Sequence, residues 1–294
     1  MLNSIRVGLK EQDGLDFLLK FDDVSQWLET NPTKKTKKPL SKSSLKTYYA
    51  MIKATLRDLN DNKFNDVITK YDEKMNYYAE QQKERDEKQE LSPQEKEKWL
   101  CWSCIDGLRD KLLTDYNENN EWKTFQDYLI ICLYTLMPPE RLDYSPMRFV
   151  GEIPTDNTEN FCVLLPDKVV FILNNYKTAW RMEKGSLKHH PAIYDAPTTL
   201  FKIIEQWRIL NKSEWLIVKK NSPTQAMSSH ELGQTIQRIF ERELNTKATL
   251  NIIRHAYITH LRQGEMPLLE KKRIAERMGH SLSMSEKYLR INVE

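Results

Sequence analysis

The chain has 294 residues and a mass of 34.9 kDa, enough for one large domain or two ordinary ones. Hydrophobic residues make up 39 % and charged residues 30 %, with 8 Gly and 12 Pro, which excludes collagen-like, mucin-like and wholly disordered chains. The formal charge of +3 neither requires nor excludes a polyanionic partner. No stretch reaches the roughly 18 apolar residues of a spanning helix, and residues 1–14 lack the apolar run of a signal peptide. We therefore expect a globular intracellular protein that is not secreted and has no membrane partner.

The first part of the chain is predicted to be helical and rich in lysine. Residues 15–29 and 43–59 carry apolar side chains at helical spacing, with Ser43 or Ser44 as the cap of the second helix. Residues 33–46 contain six Lys among fourteen residues, a composition suited to a phosphate backbone, although a solvated charged face is the alternative. The candidate contacts to such a phosphate backbone are Lys34, Lys35, Lys37, Lys38, Lys42, Lys46 and Lys53.

A change in composition near residues 88–92 predicts a domain boundary. The hydrophilic, charged stretch before it ends at Ser92-Pro93-Gln94-Glu95, where Ser is a typical cap, Pro fits the first turn and Glu completes a capping box. We expect a helical N-terminal domain over 1–88 and a larger domain over 89–294.

The larger domain is predicted to be mainly α with a small antiparallel β-sheet, an α+β fold. Residues 161–166 and 168–174 are β-branched runs joined by a turn, which predicts paired strands. Helical spacing is found on both sides of them, at 93–115, 121–136, 198–210, 229–244, 249–262, 267–278 and 283–290.

The chain has 4 Cys, which we expect to be reduced and buried. Cys101 and Cys104 have the spacing of half a zinc site or a redox pair. However, no second CxxC or CxxH follows, and the surrounding pattern is helical, so packing in the core is the favoured interpretation. We therefore predict no metal and no cofactor.

The sequence lacks the common signatures of phosphate-binding loops, dinucleotide-binding folds, zinc proteases and serine hydrolases. In the C-terminal third, Arg254-His255 is followed by Met278-Gly279-His280-Ser281 and then by Tyr288. Each residue alone has an ordinary structural explanation, but their order resembles the catalytic half of the tyrosine recombinase (phage-type integrase) family.

Two upstream motifs extend this resemblance over about 93–294. Residues 138–144, PPERLDY, resemble the version found in recombinases of eukaryotic viruses, virophages and mobile elements, with Arg141 as the first arginine. Lys177, just after the second predicted strand, matches the family's hairpin lysine. The lysine-rich N-terminal domain is similar to the family's core-binding domain, and together the two domains would clamp double-stranded DNA.

The resemblance implies a site-specific recombinase or integrase that cuts and rejoins DNA without metal or ATP, for integration or excision of a viral or mobile element. Tyr288 would form a 3′-phosphotyrosyl bond, Arg141 and Arg254 would hold the phosphate, Lys177 would protonate the leaving oxygen and His280 would donate to the phosphate. His255 would orient its neighbours. Such an enzyme would act as a tetramer on two duplexes, in the host nucleus or a viral factory.

Three departures from the family pattern weaken the match. Asn251 replaces the usual His or Lys three residues before the second arginine, and its amide is neither acid nor base near neutral pH. Tyr144 replaces a carboxylate, with Asp143 as a possible substitute, and the eight-residue spacing from His280 to Tyr288 is about one shorter than usual. A type IB topoisomerase, a catalytically weakened DNA-binding relative and a protein-interaction scaffold are the alternatives.

Overall fold

The computed structural model describes residues 2–31, 39–155, 158–183, 186–291 and 293. The chain divides into two compact units, Met1–Lys88 and Gln89–Glu294. No helix in the described ranges is both long and apolar enough to cross a membrane. Four of the lysines predicted to contact DNA, Lys34, Lys35, Lys37 and Lys38, lie outside the described residues.

The first unit is a small helical domain built around tyrosines. Tyr49 and Tyr78 stack with ring centroids 5.8 Å apart, and both hydroxyls donate to Glu29. The buried hydroxyls are thereby paired, as the cost of burying polar groups requires. The helices are α1 (Leu2–Gly8), α2 (Phe21–Thr30), α3 (Lys42–Leu59) and α4 (Asn65–Lys88), with 3₁₀ turns at Asp16–Leu19 and Asn62–Phe64.

Two sequence predictions for this unit are wrong in detail. The cap of α3 is Ser41, whose Oγ accepts from the Ser44 amide at 3.1 Å, so neither Ser43 nor Ser44 has that role. The helix expected over 15–29 is a 3₁₀ turn followed by α2, because Lys20 has a non-helical backbone (φ −81°, ψ 64°) between them.

The second unit begins with α5 (Pro93–Lys96), α6 (Trp102–Asn119) and α7 (Trp122–Thr135). Ser92 and Glu95 form the expected capping box, but the helix predicted over 93–115 is interrupted after Lys96. Cys101 is the residue before α6, where it is half-buried, and Cys104 in the first turn is exposed. Prediction of these two as core residues is wrong, whereas Cys132 and Cys162 are buried as expected.

The main sheet lies among these helices and confirms the α+β prediction. The two strands predicted from sequence, β2 (Phe161–Leu164) and β3 (Val169–Leu173), pair antiparallel. They are flanked by β1 (Arg148–Val150), parallel to β2, and by β6 (Ala192–Asp195), antiparallel to β3. Two small hairpins add β4 (Trp180–Glu183) with β5 (Ser186–His189), and β7 (Val218–Lys219) with β8 (Ser222–Ala226).

The remaining helices close the second unit and carry the candidate site. They are α8 (Thr198–Leu210), α9 (Ser229–Leu244), α10 (Leu250–Leu261), α11 (Leu268–Arg277) and α12 (Leu282–Glu286). The first four match the predicted spans within one residue at each end. The last prediction, 283–290, is wrong at its end: the helix stops at Glu286, so Tyr288 lies in a turn in which its amide donates to the Ser285 carbonyl at 2.9 Å.

Candidate active site

Arg254 is the buried centre of the site. It belongs to α10 and is only 2 % exposed. Its Nη1 donates to the Pro139 carbonyl at 2.6 Å and its Nη2 donates to the Met278 carbonyl at 2.9 Å and to His280 Nε2. A single guanidinium thus ties α10 to the segment after α7 and to the end of α11.

His280 is a neutral histidine with a defined proton position. Burial and the neighbouring Arg254 and Arg141 lower the pKa of His280 to about 3. Because Arg254 can only donate, Nε2 of the ring must accept, which leaves the proton on Nδ1. His280 Nδ1 and Arg254 Nε are both buried and have no hydrogen-bond partner in the described part of the chain.

Tyr288 covers these two groups. Its ring stacks on the His280 imidazole with centroids 4.8 Å apart and planes 7° apart, and the Arg254 Cζ lies 5.2 Å from its centroid. The His255 ring lies on the same tyrosine at 4.7 Å, and the Tyr288 carbonyl accepts from His255 Nδ1 at 2.7 Å. The ring of Tyr288 is therefore held by two histidine rings, and its backbone by a hydrogen bond from His255.

Arg141 approaches from the segment that follows α7. Its Nη1 donates to the Gly279 carbonyl at 3.3 Å, and its own carbonyl accepts from the Tyr134 hydroxyl at 3.0 Å. Gly279 has φ +72°, and a Cβ there would lie 3.0 Å from Arg141 Nη1. Glycine thus suits the left-handed backbone turn and leaves room for the arginine. The structure brings together Arg141, Arg254, His280 and Tyr288.

Lys177 lies apart from this group, in the loop between β3 and β4. It is exposed and makes no ion pair with any described residue. It lines a surface cleft together with Asp143 and Asn160, and Asn160 Nδ2 donates at 3.0 Å to the carbonyls of Asp143 and Asn175. The loop of Lys177 is therefore fastened to the segment that carries Arg141, without contact between the lysine and the arginines in the described structure.

Asn251 and Asp143 occupy the edges of the site. Asn251 is exposed in the first turn of α10, and the three-residue spacing puts it on the same face of the helix as Arg254. Asp143 is half-buried, and burial raises the pKa of its carboxyl while Arg141 and Arg254 oppose that shift.

Sequence reasoning missed Glu140, the residue before Arg141. Glu140 is 4 % exposed and its Oε1 has no hydrogen-bond partner among the described residues. Burial and the nearby Asp143 raise the pKa of Glu140 to about 8, although Arg254 and Arg277 act in the opposite direction. The local sequence gave no sign that Glu140 is buried, because its burial depends on segments that are distant in the chain.

Three of the predicted DNA-contacting lysines fall on described residues. Lys42 is exposed at the start of α3 and Lys46 is half-exposed one turn later. Lys53 donates to Asp72 on α4 at 2.6 Å, so its charge is already paired within the domain. We therefore expect Lys42 and Lys46 to contribute more to binding of a polyanion than Lys53.

No group of three or more His, Cys, Asp or Glu side chains suited to a metal ion occurs within the described ranges. No protein-family model matches the chain, and no curated protein matches its sequence. Among solved structures, the chain is similar to a crystal structure of XerA recombinase, with 13 % identity, a TM-score of 0.41, and coverage of 99 % of this chain and 93 % of that chain. Because that likeness is weak, the functional argument depends on the site itself.

Proposed function

We propose that this protein is a DNA strand-cleaving and rejoining enzyme of the tyrosine recombinase type. The observation that supports the proposal most directly is a pair of buried N–H donors beside Tyr288, Arg254 Nε and His280 Nδ1, which have no partner in the described ranges. Buried donors normally have partners, so two together next to a potential nucleophile indicate an absent acceptor. The non-bridging oxygens of a DNA phosphate have the charge and geometry that these donors require.

The chemistry follows from what each group can do. The Tyr288 hydroxyl loses its proton to water as its oxygen attacks phosphorus, the P–O5′ bond breaks, the leaving oxygen takes up a proton, and the product is a 3′-phosphotyrosyl ester with a free 5′-hydroxyl. Arg141, Arg254 and His280 donate to the non-bridging oxygens as their charge grows in the transition state. The ester retains the energy of the cut strand, so that attack by a 5′-hydroxyl rejoins DNA without ATP.

Lys177 is proposed as the acid that protonates the leaving 5′-oxygen. An ammonium group can supply this proton, and neither neutral His280 nor the amide of Asn251 can do so readily near pH 7. Lys177 is exposed, which leaves it free to turn toward bound DNA. Its loop is connected to the Arg141 segment by Asn160, whose amide donates to the carbonyls of Asn175 and Asp143.

The biological setting belongs to the same proposal. Double-stranded DNA is the substrate, the working assembly is a tetramer on two duplexes, and the reaction integrates or excises a viral or mobile element. The enzyme would act where that DNA is found, in a host nucleus or a viral factory. Lys42 and Lys46 of α3 would add phosphate contacts from the N-terminal unit.

The test is to trap the covalent intermediate. Duplexes with a nick just 3′ of the cleavage position lose the short 5′-hydroxyl fragment by diffusion, so that the adduct accumulates. We expect a protein–DNA adduct in EDTA whose linked peptide contains Tyr288, and strand exchange between two duplexes. An adduct without exchange would indicate a topoisomerase, and salt-sensitive binding without an adduct would indicate a DNA-binding relative.

A further inference from the structure

Next to Tyr288 lies a chain of three polar side chains: Glu95, Arg290 and His255. Arg290 is 9 % exposed, and its Nη2 donates to Glu95 Oε1 at 3.0 Å and to His255 Nε2 at 3.3 Å. His255 in turn bonds the Tyr288 carbonyl at 2.7 Å. The chain thus runs from the first turn of α5 to the backbone of the proposed nucleophile.

The direction of each hydrogen bond in this chain is determined by Arg290. An arginine can only donate, so His255 Nε2 accepts and the imidazole proton lies on Nδ1. Only that tautomer can donate to the Tyr288 carbonyl. Without Arg290 the proton can move to Nε2, where the Glu95 carboxylate, with Oε1 3.7 Å away, favours it, and the bond to Tyr288 is then lost.

Arg290 also holds the chain on both sides of Tyr288. Its Nη1 donates to the Lys287 carbonyl at 2.8 Å and to the Leu289 carbonyl at 2.9 Å, and its amide donates to Thr259 Oγ1 on α10 at 3.0 Å. All four Nη hydrogens are then used. The turn that carries Tyr288 is fastened to the helix that carries Arg254.

Glu95 provides a fixed anion at the other end. Burial alone would raise the pKa of Glu95, but hydrogen bonds from the Ser92 hydroxyl and amide, together with Arg290, lower it to about 2. A further link joins the same two segments, since Gln89 Nε2 donates to the Glu286 carbonyl at 3.1 Å and the Ile291 amide donates to the Gln89 carbonyl at 3.0 Å. The start of the second unit therefore supports the turn of Tyr288.

We propose that Glu95, Arg290 and His255 are positioning residues that hold Tyr288 over Arg254 and His280 in the geometry for attack on a DNA phosphate. This inference rests on the proposed function. None of the three touches the phosphate; they act through the backbone of Tyr288 and through the tautomer of His255. Misplacement of a nucleophile by about 1 Å is enough to cost two orders of magnitude in rate, so the chain should affect the chemical step most.

The experiment measures DNA affinity and the single-turnover rate of adduct formation separately. Glu95→Gln keeps the shape of the side chain and removes its charge, and Arg290→Met removes the donors. We expect each to lower the adduct rate about 10- to 100-fold, as losses of supporting hydrogen bonds around active groups do, with the Kd for DNA unchanged within about threefold. The double variant should be no slower than Arg290→Met alone, because both act through one chain.

Arg208→Met is the matched control. Arg208 Nη1 also donates to two backbone carbonyls, those of Asn211 at 3.0 Å and Ser213 at 2.6 Å, but at the end of α8 and not at the Tyr288 turn. It should lower thermal stability without slowing adduct formation. Equal slowing by this control would show that the effect of Arg290→Met is general destabilisation.

A pH profile gives a readout that a structural role would not change. His255 faces Arg290, Glu95, Arg254 and the Tyr288 carbonyl, and burial and Arg290 lower its pKa to about 4. In Arg290→Met that pKa should rise toward its ordinary value, about 6.5. Because the protonated ring carries a hydrogen on Nδ1 again and can donate to the Tyr288 carbonyl, the variant's adduct rate should fall between pH 7.5 and 6 by a smaller factor than the wild-type rate does.

The outcomes separate the two proposals. If the wild-type protein forms no adduct, the proposed function fails. If the wild type forms the adduct and Glu95→Gln and Arg290→Met form it at the wild-type rate, the positioning chain alone is refuted. Should Arg290→Met fail to fold, Glu95→Gln and Arg290→Lys decide the matter, with Lys expected to restore part of the rate since it keeps one donor and the charge.

Discussion

The candidate site has two halves, the group around Tyr288 and the loop of Lys177, and they differ in how firmly the protein holds their side chains in place. Next to Tyr288 the guanidinium of Arg254 is buried and held by the carbonyls of Pro139 and Met278. Lys177, by contrast, lies exposed on a loop without an ion pair among the described residues. On the proposed function, the half that would stabilise charge is preorganised, which is where catalysis gains most, and we expect the half that would deliver a proton to be completed when DNA binds.

The largest effect that this contrast predicts is that of Tyr288→Phe. Removing the hydroxyl leaves the stacking on His280 and the carbonyl bond to His255 in place, so the pocket survives without its nucleophile. We expect no adduct, with DNA affinity within a few-fold of wild type, as measured by gel separation and by titration. Tyr257→Phe, which changes a tyrosine of the same apolar cluster, should retain adduct formation. An adduct in Tyr288→Phe would show that another residue is the nucleophile.

The next effect distinguishes the two arginines within the preorganised half. Arg254→Lys removes donors that hold two carbonyls in the interior, so it should reduce cleavage by about 10²–10³ and also lower the melting temperature. Arg141→Lys loses a single 3.3 Å bond at a half-exposed position, so its cleavage defect should come with a smaller change in melting temperature. Calorimetry and adduct rates together test this, and equal losses of stability would contradict the difference in burial.

Lys177→Ala tests the exposed half of the candidate site. Cleavage should slow by about 10²–10⁴, the usual contribution of a positioned acid, while binding changes by less than about threefold. A substrate with sulfur in place of the bridging 5′-oxygen has a far better leaving group and needs little protonation, so it should restore most of the rate. If sulfur gives no rescue, or if affinity and cleavage fall together, Lys177 is a DNA contact and not the acid.

The smallest expected effect is the pH dependence from Glu140 beneath the pocket. Its folded-state pKa, about 8, lies above its ordinary value, so the folded protein keeps the proton up to a higher pH than the unfolded chain does. The stability advantage of wild type over Glu140→Gln should therefore be greatest near pH 4.5 and decrease as pH rises to about 8. Urea midpoints at pH 5, 6.5 and 8.5 measure this. A constant difference between the two proteins would contradict the raised pKa.

Helical spacing of apolar residues was sufficient to predict α8 and α9, because the expected spans 198–210 and 229–244 match the structure. In the structure α8 follows Pro197, and α9 begins at a capping box formed by Ser228 and Glu231. The hairpins β4–β5 and β7–β8 were missed because Ser222–Ala226 lacks the apolar alternation of a strand.

The candidate site was predictable where it depends on motif order and unpredictable where it depends on contacts between distant segments. Arg141, Arg254, His280 and Tyr288 were selected because their order resembles the tyrosine recombinase pattern, and the structure places them together. The end of α12 at Glu286 and the link from Arg290 to Glu95, 195 residues away, arise from tertiary contacts that local spacing does not encode.

The most direct test of the central claim is a crystal structure of the Tyr288→Phe variant bound to an uncut duplex. The distances to measure join the non-bridging oxygens of the scissile phosphate to Arg254 Nε and His280 Nδ1, two buried donors beside Tyr288 that have no partner among the described residues. The account predicts both at hydrogen-bond length, about 2.7–3.2 Å. A scissile phosphate bound elsewhere, with these two donors still unpaired, would contradict it.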